Sequence, residues 1–134
     1  AEGAMDAGNL LKPALARGAW VVCDRFTDST YAYQCGGRGL PAERVASIEQ
    51  WVHGHLQPDL TLLFDAPIEV ARERLDKGTP TPDKFERERD EFFVRVRENY
   101  LARAAQYGHR VKVINSARSL AVIQAELASL LDAL

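Results

Sequence analysis

The chain has 134 residues, 46% of them hydrophobic and 27% charged, with a formal net charge of −2. That length and composition fit one soluble globular domain, and the near-balanced charge argues against a generally nucleic-acid-binding surface. No apolar run approaches the roughly 18 residues of a membrane helix. No secretory leader is visible, and the two cysteines, Cys23 and Cys35, fit a reduced, cytoplasmic protein better than a disulfide-stapled one.

Taken in order, Ala1 to Asn9 is small and polar, with Gly3 and Gly8, and is expected to be poorly ordered or a remnant. Leu10, Leu11, Ala14 and Leu15 fit the apolar face of a short helix that Gly18 would cap. Trp20 to Cys23 is a short apolar run of the kind that forms a strand buried on both faces. Asp24 and Arg25 stand where that strand would emerge, and hydroxyls, aromatics and an amide follow. Gly36-Gly37-Arg38-Gly39 then reads as a turn, because glycine tolerates positive φ.

Pro41 can open the next helix at its first turn, with Val45, Ile48 and Val52 at helical spacing. Leu60 to Phe64 reads as a second buried strand ending at Asp65. Pro67 begins a helix through Leu75, and Pro80 and Pro82 forbid its continuation. Asp83 and Glu86 have the spacing of a capping box, so a new helix should start at Lys84 and stop at Gly108. Its face carries Phe85, Phe92, Phe93, Val96, Tyr100 and Ala104. Val111 to Ile114 is a third strand, and Ser119 caps a last helix with Leu120, Ile123, Leu127, Leu130 and Leu134 inward. Strands alternating with helices imply an α/β fold with a parallel sheet.

In such sheets ligands bind outside the carboxyl ends of strands, which points to Asp24 and Arg25. An arginine there can fork two N–H bonds onto a phosphate, a geometry lysine does not reproduce. Asp24 could assist Mg²⁺ through its waters, since that ion keeps much of its hydration shell. His53 and His55, two apart on a helix, share no face and make a poor metal pair.

Asp24-Arg25-Phe26, Ser29-Thr30, Tyr33-Gln34 and Gly36-Gly37-Arg38-Gly39 together resemble the thymidylate kinase signature of the bacterial type. With Lys12-Pro13-Ala14-Leu15 before and Gln57-Pro58-Asp59-Leu60-Thr61-Leu62 after, the resemblance runs from about Leu11 to the C-terminus. It implies the three-layer P-loop NTPase fold of nucleotide kinases, with residues 1–134 a single incomplete domain and a lid near 72–84. The family's first strand and phosphate loop lie N-terminal to everything in this sequence. No Gly-Lys pair, and so no G-x-x-x-x-G-K-[ST] loop, occurs in the 134 residues. A longer parent chain supplying that loop is therefore expected, with a chain that has lost its donor site as the alternative.

What the resemblance implies about activity is transfer of the γ-phosphoryl of ATP to dTMP, with Mg²⁺. Arg25 would hold the acceptor phosphate, Asp24 would help hold Mg²⁺, and Ser29, Thr30, Tyr33 and Gln34 would line the acceptor pocket. Gln34 resembles the amide that contacts the base, and Tyr33 the aromatic that crowds the sugar where a ribonucleotide carries its 2′-hydroxyl. Arg38 faces either the acceptor phosphate or water. Where the family has glycine this chain has Cys35, tolerable unless that position needs positive φ. Arg74 and Lys77 are the lid cations expected over the transferred group. Asn115, Ser116 and Ala117 resemble the loop that backs the adenine. Neither nucleic acid nor membrane is an expected partner, and the family commonly pairs as homodimers. The rivals are a related kinase with another acceptor and a non-catalytic acceptor-binding or scaffold fragment.

Overall fold

A computed structural model describes residues 10–75 and 84–134. Ala1 to Asn9, Lys77 and the proline-rich stretch at 78–82 lie outside the described residues.

The element order is α1 (Lys12–Ala16), α2 (Thr27–Thr30), a wide-turned π-helix (Tyr31–Gly37), α3 (Ala42–Val52), β1 (Thr61–Asp65), α4 (Ile68–Leu75), α5 (Lys84–Gln106), β2 (Val111–Asn115) and α6 (Leu120–Asp132). Local chemistry accounts for the ends. Gly18 leaves α1 at φ 75°, a conformation that glycine alone adopts without strain. Pro41 stands one residue before α3, at its N-cap rather than in its first turn. The helix expected at Lys84 begins there. Ser119 precedes α6 with an extended backbone but makes no side-chain cap bond.

β1 and β2 pair in parallel, Thr61 opposite Val111 through to Asp65 opposite Asn115. Buried Val111 and fully buried Ile114 come from β2, Val96 and Ala104 from α5, Ile123 from α6, Val45 from α3 and Ala32 from the π-helix. Roughly 35 Å long at 23 residues, α5 is the beam against which the π-helix and both strands pack.

Two expectations need correcting. Trp20 to Cys23 is not a strand: the run takes no strand pairing, and Trp20 and Val22 are 76% and 97% exposed. An apolar run becomes a strand only beside another that accepts its backbone bonds, and none lies next to it among the described residues. Nor are Gly36 and Gly37 a turn. Both belong to the π-helix, and neither has positive φ; only Gly39 does, at 72°. Their role is close approach. A Cβ on Gly36 would sit 2.6 Å from the Asn99 Cβ and 2.7 Å from the Arg95 carbonyl oxygen, and one on Gly37 would meet the Phe92 ring. Cys35, also helical, has no positive φ, so its thiol is accommodated where the resemblance has glycine.

The helix faces are only partly covered. Val45 is buried on α3, whereas Ile48, Trp51 and Val52 are half or more exposed, and Leu120 at the start of α6 and Leu134 beyond its end are open.

Candidate acceptor site

Two residues before α2, Arg25 takes φ 63°, and it is the one non-glycine residue with positive φ among those described. The left-handed region costs an L-residue roughly 1–2 kcal/mol, and such outliers gather at functional sites. This backbone puts the exposed Arg25 guanidinium 5.4 Å from the centre of the Tyr33 ring, a cation–π contact. Tyr33 leans on Phe92 at 6.1 Å and meets Tyr100 edge-on at 6.5 Å. Tyr100 in turn shares a 2.6 Å hydrogen bond with Ser29. Burial pushes the Tyr100 phenol above its ordinary pKa, more than the Ser29 bond lowers it.

Of the residues picked from the sequence, Arg25, Ser29 and Tyr33 therefore form one cluster. Gln34 accepts a long 3.4 Å bond from Arg38, one helical turn on. Asp24 and Thr30 are exposed. No group of three His, Cys, Asp or Glu side chains that could hold a metal occurs among the described residues. His53 stacks on Phe26 at 4.7 Å.

A buried charge network that sequence reading missed holds the segment in place. Asp28, 5% exposed, accepts a fork from Arg110 at 2.7 and 3.0 Å and a 2.8 Å bond from the Arg103 Nε. Arg103 lies 3.9 Å over the Tyr31 ring, and the Tyr31 hydroxyl donates to Glu49 on α3. Burial raises the Asp28 carboxyl, but the bonds and charges of Arg110 and Arg103 outweigh it and hold the group below its ordinary pKa. Burial, reinforced by Glu49, pushes the Tyr31 phenol up to about 12. The available signal was the i, i+3, i+7 spacing of Tyr100, Arg103 and Tyr107, which lines up Tyr100 and Arg103 on one face of α5 with Tyr107 just past its end.

A second cluster closes the carboxyl ends of the strands. Asp65 accepts both Arg97 nitrogens, at 2.6 and 2.8 Å, while its carbonyl accepts the Ser116 N–H and hydroxyl. Arg74, expected over the transferred group, donates to the Ser116 carbonyl at 2.8 Å, joining α4 to the loop after β2. Asn115 accepts the Ala117 N–H, a local turn.

The thymidylate kinase family model matches residues 1–127. The chain belongs to the thymidylate kinase family. The match starts at Ala1, which corrects the expectation that Ala1 to Asn9 falls outside it. The chain is 56% identical over 118 residues to the thymidylate kinase of Methylobacillus flagellatus, covering 88% of this chain and 58% of that one. It is 58% identical over 118 residues to the thymidylate kinase of Janthinobacterium sp., covering 88% and 57%. Among solved structures, thymidylate kinase from Ehrlichia chaffeensis superposes with a TM-score of 0.71 at 26% identity, over 94% of this chain and 56% of that one. The expected α/β, P-loop NTPase class of fold is thereby established. The chain spans a little under three fifths of the length of the curated relatives it matches.

Proposed function

We propose that this chain is the acceptor-binding part of a kinase that transfers the γ-phosphoryl of ATP to dTMP, giving dTDP. The observation that carries the reading is Arg25: a strained backbone holds an exposed guanidinium over Tyr33 within a segment matching the family signature. A forked cation suits a phosphate, and a tyrosine wall suits a sugar without its 2′-hydroxyl. The chemistry is positioning and charge neutralisation, with no covalent intermediate. Arg25 would orient the acceptor phosphate, and Asp24 would help hold Mg²⁺, which would supply charge neutralisation when bound. Arg74 and Lys77 remain candidate lid cations; the Arg74 bond to Ser116 ties α4 to the loop proposed to back the adenine. No helix among the described residues is long and apolar enough to cross a membrane, and the enzyme is proposed to act in the cytoplasm on free nucleotides.

The test uses the full chain its gene encodes. Arg25→Ala should lower kcat/KM for dTMP on the order of 100-fold or more, the scale of truncating one partner of a buried charged pair. Arg25→Lys should recover little of it. Near-normal kcat/KM in the lysine variant would remove the phosphate clamp.

A further inference from the structure

We propose that Arg103 is a positioning residue of the acceptor site: it bridges the junction where α2 passes into the π-helix, and so sets where Tyr33 stands relative to Arg25. The inference rests on the acceptor reading above and adds the residue that holds the two halves of that site together.

The junction divides the signature. Arg25 and Ser29 lie before it, just ahead of α2 and within it, while Tyr33 and Gln34 lie after it, in the π-helix. A π turn closes its backbone bonds over five residues instead of four, as the Arg38 N–H does on the Tyr33 carbonyl at 3.1 Å. Each residue past the junction is therefore turned less about the axis than in an α-helix. Return to α spacing would swing Tyr33 away from the Arg25 guanidinium, which lies 5.4 Å from its ring centre. Such π segments are rare and frequently sit at functional sites.

Arg103 grips both sides of the junction. Its Nε donates to Asp28 Oδ1 in α2 at 2.8 Å. Its guanidinium lies 3.9 Å over the ring of Tyr31, the first residue of the π-helix. The Arg103 side chain is 13% exposed, and the Tyr107 ring stands 5.0 Å from the same guanidinium. One planar group thus ties the last α turn and the first π residue to α5, the helix whose Phe92 and Tyr100 receive Tyr33. Asp28 does not need Arg103 for charge balance, because Arg110 alone forks onto it at 2.7 and 3.0 Å. What Arg103 adds is the link from Asp28 to Tyr31.

The test uses the full gene-encoded chain, well below the melt of each variant. It reads kcat and KM for dTMP, the preference for dTMP over its ribonucleotide counterpart, and the melting temperature. Arg103→Ala leaves Asp28 paired with Arg110, so the fold should persist. This variant should raise KM for dTMP about three- to tenfold, the scale of one hydrogen bond, with kcat within about twofold. It should also narrow the preference over the ribonucleotide, because Tyr33 shifts. Arg103→Lys keeps the charge without the planar stack and should recover little. Tyr31→Leu removes the other end of the link and should reproduce the Arg103→Ala losses. Normal KM in Arg103→Ala or in Tyr31→Leu would overturn the assignment, and so would full recovery in Arg103→Lys. Variants that only melt lower, with KM and sugar preference unchanged, would overturn it too. Absence of dTMP turnover in the unaltered chain would overturn the acceptor reading and this inference together, whereas normal turnover with insensitive variants overturns this inference alone.

Discussion

Arg25 shows how one residue can be held against its own backbone preference. At φ 63° glycine would be relaxed, while arginine carries roughly 1–2 kcal/mol of strain. In the full gene-encoded chain, Arg25→Gly should therefore melt no lower than the unaltered protein, by differential scanning calorimetry, while losing dTMP turnover as fully as Arg25→Ala. A lower melt would mean that the Tyr33 contact outweighs the strain. Tyr33 gives the second test at this scale. Tyr33→Ala should narrow the preference for dTMP over its ribonucleotide counterpart, read as the ratio of kcat/KM values. Unchanged discrimination would make Tyr33 a packing residue against Phe92 and Tyr100. Motif spacing singled out Arg25 and Tyr33, and the structure brings the two together. The contact of Tyr100 with Ser29 and Tyr33 was hidden, because a helix face reads as core until the partner segment is in place.

Elements are governed by fit. Gly36 and Gly37 read as a turn by composition, but the π-helix needs them to approach α5, a requirement that only the neighbouring Phe92 and Asn99 reveal. Gly37→Ala should destabilise the fold by about 1–3 kcal/mol through overpacking and also raise KM for dTMP, since Tyr33 moves with its helix. Gly39→Ala, in open space at φ 72°, should lower stability alone. Denaturant midpoints beside dTMP kinetics separate the two. Asp28 ties the same segment to α5 and the strand pair. Its folded pKa is depressed, so its contribution is complete above the unfolded value and is lost as pH falls through the folded one. Stability should thus fall as the pH drops below the ordinary carboxylate value of about 3.9, and Asp28→Asn should flatten that limb. Asp28→Ala, which strands two arginines, should lower stability at neutral pH by about 3–5 kcal/mol. An acid limb unchanged in Asp28→Asn would show that other carboxylates set it.

At the scale of the molecule, the strand pair, most helix starts and the α/β class were legible because periodicity and caps are local properties. Trp20 to Cys23 was not, because strand formation depends on a neighbour that no local pattern contains. With Trp20, Val22, Phe64 and Trp51 half or more exposed, the 134 residues by themselves should neither melt cooperatively nor make dTDP. A cooperative melt with kinase turnover would refute that. The most direct measurement is ATP-dependent turnover by the full gene-encoded chain across dTMP, dUMP, CMP and thymidine under one set of conditions. dTMP should be the preferred acceptor and thymidine, which lacks the phosphate that Arg25 is placed to hold, should not be turned over. Preference for CMP, or phosphorylation of thymidine at a rate comparable to dTMP, would contradict the assignment of this chain as the acceptor half of a dTMP kinase.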